Sequence, residues 1–262
     1  MRYEKLPVTP SLEPFVKCYF VWEGESAEQM NIQSPPNCYG AMVFNYADPY
    51  SAYQNSKYVQ SVPQTFACQM FTSNFHLVLK GKIGMAGIHN LFGITMSNLV
   101  NSRMPLTLLL GRKAETLLAK IRKQTNNENR KNILKNFVLT RLTEAKARLT
   151  IIDEAVELID EKKGCVNVEA VADHLKISQR YLEKKFLEKV GASPKFYARI
   201  KRFASLSIRI PYDEKIDWQQ LIFEYGFHDQ SHLVKEFMEF NQMNPSNYHL
   251  LNQEMARYLK KK

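Results

Sequence analysis

The sequence predicts an α+β protein of two domains. In the first hundred residues, short β-branched and aromatic runs are separated by Gly, Pro and Asn, which indicates a mainly antiparallel β domain. From Met104 onward, apolar residues recur every three or four positions, which indicates helices. The last third reads as an all-α domain of two helix-turn-helix units joined by a long helix. We place the boundaries at 1–102, 103–150 and 151–262.

Length and composition support this division and exclude several classes of protein. The chain has 262 residues, 45% of them hydrophobic and 24% charged, which is typical of a globular protein with room for two cores. The sequence has neither eighteen consecutive apolar residues nor a signal-peptide pattern, so we expect a cytoplasmic protein with no membrane partner. The four cysteines are widely spaced, so we expect free thiols rather than a zinc site or disulfides.

The net charge of +10 indicates an anionic partner, and its distribution along the chain is uneven. Residues 103–148 contain twelve Lys and Arg against three Asp and Glu, and residues 176–202 contain nine against two. We interpret the first cluster as the solvated face of helices. The second cluster coincides with the first helix-turn-helix unit, which gives it a candidate function.

Four runs in the first domain predict strands, and two amphipathic helices follow them. The runs are FVKCYFVWEG, YGAMVFNY, FHLVLKG and KIGMAGIH. The helices are expected at 105–123 and 129–149, separated by the polar stretch QTNNEN. Their apolar stripes have two possible uses, which are packing against the β domain or forming a dimer interface.

The last third contains a weak internal duplication. In the first copy, a helix at Val168–Leu175 leads through a turn to a helix that opens at Ser178. In the second copy, a helix at Asp217–Tyr225 turns at Gly226 into a helix that opens at Asp229. Ser and Asp are favourable N-caps because their side-chain oxygens accept hydrogen bonds from free first-turn amides. The stretch between the copies, SPKFYARIKRFASLSIRI, predicts one helix of about sixteen residues, roughly 24 Å long.

The stretch GFHDQSHLVKEF allows a metal site as well as a turn entering a helix. Two His ligands four residues apart share a face only when one continuous helix carries both. Gly226 interrupts the helix and Asp229 is the better cap, so His228 precedes the helix that contains His232. We therefore expect the turn and no metal site. We also find no nucleophile–base constellation, and expect no catalytic residue and no cofactor.

The C-terminal hundred residues resemble the DNA-binding module of the AraC-type transcriptional regulators. The stretches that carry the resemblance are GASPKFYARIKRF, YGFHDQSHLVKEFMEF and NPSNY. The N-terminal region resembles the β domain that precedes this module in one subgroup, through PPNCYGAMVFNYADPY and GKIGMAGI. The chain departs from the family at Lys176, where Gly is usual, and at Ile222, where a small residue such as Ala172 of the first unit is usual.

The resemblance implies a sequence-specific DNA-binding transcription regulator that inserts the second helix of each unit into successive major grooves. Matching the family motif makes Arg180, Lys184, Gln230, Ser231 and Lys235 base-facing, and Arg and Gln can pair with guanine and adenine. Phosphate contact or a solvated face is the alternative for Arg180 and Lys184, and His232 would pack or meet phosphate. Basic residues of the joining helix (Lys195, Arg199, Lys201 and Arg202) would contact phosphates. The expected DNA-contacting set is Gln179, Arg180, Glu183, Lys184, Gln230, Ser231, Lys235, Arg199 and Arg202.

The expected partners are double-stranded DNA, a small organic effector, a second copy of the chain, and RNA polymerase if the protein is an activator. The family often dimerises through the region between its domains. The effector would bind the first hundred residues, whose aromatics either line a pocket or form a plain core. These aromatics are Tyr3, Phe15, Tyr19, Phe20, Trp22, Tyr39, Phe44, Tyr46, Tyr50 and Tyr53.

Two other functional classes compete with a regulator. An enzyme fused to a DNA-binding tail would carry a zinc-binding cysteine cluster, as in alkylation-repair relatives of this module, and the sequence has none. A protein-interaction domain whose units no longer bind DNA would have no reason to keep four cations together on one helix. Those cations are Arg180, Lys184, Lys185 and Lys189.

Overall fold

A computed structural model describes residues 2–33, 40–54, 57–69, 75–90, 103–144, 148–210 and 215–249. In these ranges the first domain is built on one antiparallel sheet, as the sequence predicts. Its strands are β1 (Arg2–Leu6), β2 (Val16–Gln33), β3 (Gly40–Asn45), β4 (Ser51–Gln54), β5 (Lys57–Ser61), β6 (Thr65–Gln69), β7 (Phe75–Asn90) and β8 (Arg103–Pro105).

The long strand β7 is the centre of the sheet, whose order is β1-β2-β7-β3-β6-β8. One end of β7 pairs with β3 and the other end with β4, which also pairs with β5. The runs FHLVLKG and KIGMAGIH, expected as two strands, are therefore one strand. Gly81 lies opposite Ser26, beside a register shift in β2 between Ser26 and Met30. This glycine marks an irregularity within the sheet instead of a turn.

Both faces of the sheet carry buried side chains among the described residues, and β3 is buried along its whole length. One face carries Phe20, Val43 and Phe66, which belong to a small aromatic core. The other face carries Tyr19 and Phe44, which belong to a larger core shared with the helices that follow. Alternation of side chains along each strand sends neighbouring residues, such as Tyr19 and Phe20, to opposite cores.

The helices after the sheet pack their apolar stripes against it. They are α1 (Leu106–Leu110), α2 (Arg112–Arg122) and α3 (Asn127–Glu144), and the predicted helix at 105–123 is broken at Gly111, whose φ is +56°. Leu118, Ile121 and Leu134 are buried in the same core as Tyr19 and Phe44. Burial of apolar area against the sheet stabilises this arrangement. Packing against the β domain is therefore the observed use of these stripes.

A buried arginine connects α3 to the sheet. Arg130 is 6% exposed, and its Nη1 lies 2.9 Å from Glu23 Oε1 on β2. The guanidinium also lies over the ring of Tyr46, whose hydroxyl donates to Glu23 at 2.7 Å. Burial and this hydrogen bond raise the pKa of Tyr46.

The described residues of the last third form helices and turns, as predicted, and share one apolar core. Its helices are α4 (Ile151–Glu161), α5 (Val168–His174), α6 (Gln179–Val190), α7 (Pro194–Arg209), α8 (Trp218–Glu224) and α9 (Gln230–Asn241). Phe186 of α6, Phe203 of α7 and Phe237 of α9 are buried in a single apolar cluster. No helix in the described ranges is long and apolar enough to cross a membrane.

Candidate DNA-binding surface

The first unit consists of α5, a tight turn and α6. Lys176 in the turn has a φ of +55°, in the left-handed region that favours Gly. The Ser178 hydroxyl caps α6 by accepting from the backbone N–H of Tyr181 at 3.2 Å. Leu182 and Phe186 are fully buried, which orients the opposite side of α6 towards solvent. The exposed residues of its first two turns include Gln179, Arg180, Glu183 and Lys184, as expected.

The cations of α6 fall into two groups. Lys185 pairs with Glu188 in the same helix at 2.7 Å, and Lys189 pairs with Asp153 at the start of α4. The Lys185 hydrogen bond lowers the pKa of Glu188. Within the part of the chain that the structure describes, Arg180 and Lys184 have no hydrogen bond or ion pair from their side chains. Two of the four clustered cations are thus available to an external anion.

The second unit repeats this arrangement with α8 and α9. Gly226 has a φ of +64° in the turn, and Asp229 caps α9 by accepting from the backbone N–H of His232 at 2.7 Å. Leu233 and Phe237 are buried. The predicted caps and breaks of both units are confirmed. The exposed residues at the start of α9 and one turn later include Gln230, Ser231 and Lys235.

The two units present matching positions to solvent. When the buried Leu182 and Leu233 are superposed in sequence, Arg180 corresponds to Ser231 and Lys184 to Lys235. Positions four apart on a helix share a face, so each pair forms one outward stripe. The turn of the second unit is one residue longer, because three residues separate the end of α5 from Ser178 and four separate the end of α8 from Asp229.

His228 and His232 contact each other in the turn of the second unit. His228 precedes the helix, and its backbone N–H donates to Nδ1 of His232 at 3.3 Å, which occupies that ring nitrogen. The ring of His232 also packs on Phe227, with centroids 5.4 Å apart. Among the described residues, no group of three or more His, Cys, Asp or Glu side chains is placed to hold a metal ion.

The joining helix α7 spans Pro194–Arg209, sixteen residues, as the sequence predicts. Tyr197 packs edge-on against Phe186 of the first unit at 5.4 Å between centroids, and Phe203 against Phe237 of the second at 4.9 Å. Both outward stripes are therefore carried by helices that pack on one rigid element.

Three cations of α7 are engaged inside the protein. Arg199 and Arg202 bind Glu236 of α9, and Lys201 lies 2.9 Å from Asp160 of α4. The hydrogen bonds of Arg199 raise its pKa although burial opposes this change. The expected phosphate contacts of Arg199 and Arg202 stay predictions, but these ion pairs favour a structural role. Lys195 is exposed at the start of the helix.

The aromatics of the first domain are used mainly in its cores. Tyr19, Phe20, Phe44 and Tyr50 are buried, whereas Tyr39 and the side chain of Tyr3 lie outside the described part. A cleft of about 940 Å³ lies between residues 7–17 and residues 149–157. Its lining includes three prolines, Lys17 and the acidic residues Glu13, Asp153, Glu154 and Glu157.

Comparisons with known families agree with this geometry. Residues 171–250, which include most of both units, match a family described as "Helix-turn-helix domain". The last third of the chain contains an AraC-type helix-turn-helix domain. Residues 4–105 match a family described as "Domain of unknown function (DUF6597)", which corresponds to the β domain. None of the curated proteins compared with the chain matches it.

Several solved structures are distantly similar to this chain. ToxT from Vibrio cholerae is 13% identical, with a TM-score of 0.46 over 89% of this chain and 98% of ToxT. A second ToxT structure, at 13% identity and a TM-score of 0.46 over 91% and 96% of the two chains, contains an unsaturated fatty acid. The C-terminal domain of AraT, a response regulator from Geobacillus stearothermophilus, is 19% identical, with a TM-score of 0.37 over 40% of this chain and 88% of that domain. The assignment rests on the matched family and on the geometry of the units.

The outward residues of α6 and α9 were predicted from the sequence, whereas the acids that pair with cations of α6 and α7 were not. These acids are Asp153, Asp160 and Glu236. Each pairs with a cation on another helix, at least 36 residues away in the sequence. The one available signal was the apolar pattern of α9, which places Glu236 on the buried side beside Leu233 and Phe237. An acid at such a position requires a buried partner.

Proposed function

We propose that this regulator reads a specific DNA sequence by placing α6 and α9 in two successive major grooves. The observation that carries the proposal is the pair of matching outward stripes, each with an exposed lysine that has no internal partner in the described structure. A side chain reaches a base edge only if it is not already bound elsewhere. The joining helix, about 24 Å long at 1.5 Å per residue, supports a spacing near one DNA turn, about 34 Å.

Roles within the surface follow from side-chain chemistry. Arg180 can donate two hydrogen bonds to guanine, and Gln230 can exchange two with adenine. Lys184 and Lys235 carry a compact charge that reaches either a base edge or a phosphate. Ser231 adds a short donor, while Gln179 donates to Glu183 at 3.1 Å and steadies the first turn of α6. This set gives sequence preference through Arg180 and Gln230 and affinity through the lysines.

The decisive experiment compares Arg180→Ala with Lys185→Ala on a binding site obtained by selection from random DNA. Arg180→Ala is expected to cost about 1–3 kcal/mol on the selected site and to relax preference at one base pair. Lys185→Ala is the matched control, because Lys185 lies on the same helix and is already paired with Glu188. Footprinting of the full chain should show two protected major-groove segments. Equal losses on selected and scrambled DNA for Arg180→Ala would make this residue a backbone contact.

We also propose that a small organic effector and self-association regulate the protein, which has no catalytic role. The cleft of about 940 Å³ between residues 7–17 and 149–157 supports an effector site, and side chains such as Val8, Leu149 and Ile151 supply its apolar surface. A thermal-shift screen of the full chain, followed by footprinting with each hit, tests the effector. Sedimentation velocity tests the homodimer, and transcription with purified RNA polymerase tests activation.

A further inference from the structure

Glu236 is a buried acid on the inward side of α9, away from the outward stripe. Its side chain is 3% exposed, although burying a carboxylate is costly unless charged partners compensate for the lost water. Two arginines of α7 compensate here. Arg202 donates from Nε and Nη2 to Oε1 at 3.0 and 2.8 Å, and Arg199 donates from Nε to Oε2 at 3.0 Å.

Aromatic rings and a second acid fix the two guanidinium groups. Arg202 lies 4.5 Å from the ring centroid of Phe227, a residue of the turn between α8 and α9. Arg199 lies 5.3 Å from the ring centroid of Phe240 in α9, and its Nη2 donates to Glu239 at 2.5 Å. The cluster therefore connects three elements, which are the joining helix α7, the turn between α8 and α9, and α9 itself. Planar guanidinium groups with several donors hold orientation better than a single flexible charge.

The described residues of the first unit have no corresponding buried cluster of charged side chains. Superposing Leu182 and Leu233 places Lys185 at the position of Glu236, and Lys185 pairs with Glu188 in its own helix. The first unit is instead tied to α4 through Lys189 and Asp153. The two recognition helices are thus attached in different ways, and of the two, α9 is the one bound to the joining helix by a buried charge cluster.

We propose that Glu236 is a positioning residue that sets the orientation of α9 relative to α6, and so the spacing of the two DNA segments that the chain reads. The proposal rests on the proposed function for its DNA consequence. The bidentate pair with Arg202 prevents α9 from rotating about its axis or sliding along α7, because either motion would leave a buried carboxylate without its donors. Arg199 and Arg202 then act on DNA recognition through Glu236 and not through phosphates.

The first measurement needs no DNA. Nitroxide labels attached through p-acetylphenylalanine at positions 187 and 238, which are exposed and equivalent in α6 and α9, report the distance between the two helices by pulsed electron resonance. The full chain is expected to give one narrow distribution, and Glu236→Gln a broader or displaced one. Glu239→Gln is the matched control, because Glu239 is half exposed and, within the cluster, contacts only Arg199. The label-to-label distance distribution of this variant should stay narrow. An unchanged distribution in Glu236→Gln overturns the proposal.

The second measurement uses the selected DNA site with one base pair inserted or removed between its two segments. One base pair rotates one segment relative to the other by about 35°, since a turn contains 10–10.5 base pairs. Wild-type protein and Glu239→Gln should lose about tenfold or more in affinity on the altered sites, equivalent to about 1.4 kcal/mol. Glu236→Gln should bind all three spacings within about threefold of each other, equivalent to about 0.7 kcal/mol.

The outcomes separate the two proposals. If Glu236→Gln keeps the wild-type preference for spacing, the positioning role is wrong. If wild-type protein protects no pair of segments while the label distance still broadens in Glu236→Gln, the proposed function fails and the positioning role stands. Should Glu236→Gln lose its helical circular dichroism, Arg202→Lys takes its place, because it keeps the charge and removes the bidentate geometry. The same broadening and loss of spacing preference are expected of it.

Discussion

Replacing Gly164 by alanine should weaken the DNA-binding domain more than the same substitution at Gly226. Gly164 lies in the loop between α4 and α5, with a φ of +80°. A Cβ atom at this position would lie 2.1 Å from the backbone oxygen of Ala198 and 2.6 Å from the backbone nitrogen of Arg202. Both atoms belong to α7, the helix that carries the two units.

The magnitude follows from three contributions. A left-handed conformation costs an L-residue about 1–2 kcal/mol. Backbone atoms of a packed helix cannot rotate away, so the loop or α7 must shift, at about 1–3 kcal/mol. Alanine also restricts the unfolded chain, which returns about 0.4–1 kcal/mol to stability. We therefore expect Gly164→Ala to lower the free energy of unfolding by about 1–5 kcal/mol, with about 3 kcal/mol as the central value.

Gly226→Ala is the matched control, because Gly226 has a φ of +64° but no described atom within 4 Å of the point that a Cβ atom would occupy. Only the conformational cost remains, less the effect on the unfolded chain, so a loss of about 1 kcal/mol is expected. Urea unfolding is followed by the fluorescence of Trp218 in a Trp22→Phe background, which leaves one tryptophan in α8. Equal losses for the two variants would refute the reasoning, because the close approach to α7 would then contribute nothing.

Three further predictions concern single residues. Lys176→Gly should raise the free energy of unfolding by about 0.5–1 kcal/mol in the same assay, because glycine removes the cost of a φ of +55°; a decrease would contradict this. Arg130→Met should lower the free energy of unfolding of the first domain by about 2–3 kcal/mol, because Glu23 and Tyr46 lose their buried partner. An unaltered urea midpoint would argue against a stabilising role for these contacts. Tyr19→Phe should be neutral or stabilising by about 1 kcal/mol, because the buried Tyr19 hydroxyl has no hydrogen-bond partner among the described residues. Burial raises the pKa of Tyr19 to about 12, so its neutral form is favoured in the folded protein and stability should fall between about pH 10 and 12 as the unfolded state ionises first. If wild-type protein keeps its stability over this pH range, or if Tyr19→Phe loses as much stability as wild type, Tyr19 is not the cause.

The sequence alone determined the features of the DNA-binding domain that depend on neighbouring residues. The caps at Ser178 and Asp229, the break at Gly226 and the sixteen-residue joining helix were all predicted and confirmed. Each depends on interactions within about four residues, such as a side-chain oxygen accepting from a first-turn amide. The outward positions of α6 and α9 follow in the same way from the spacing of buried residues such as Leu182 and Leu233.

Only the tertiary structure shows which charged side chains form ion pairs with each other. Arg199 and Arg202 are residue types that commonly contact phosphates. In the structure both donate hydrogen bonds to Glu236, which lies more than thirty residues away in the sequence. The fusion of two predicted strands into β7 depends likewise on its pairing with β2 around Gly81. Periodicity shows which face of an element is buried but not which partner covers it, since charge pairs and strand pairs are formed between segments that the chain brings together only on folding.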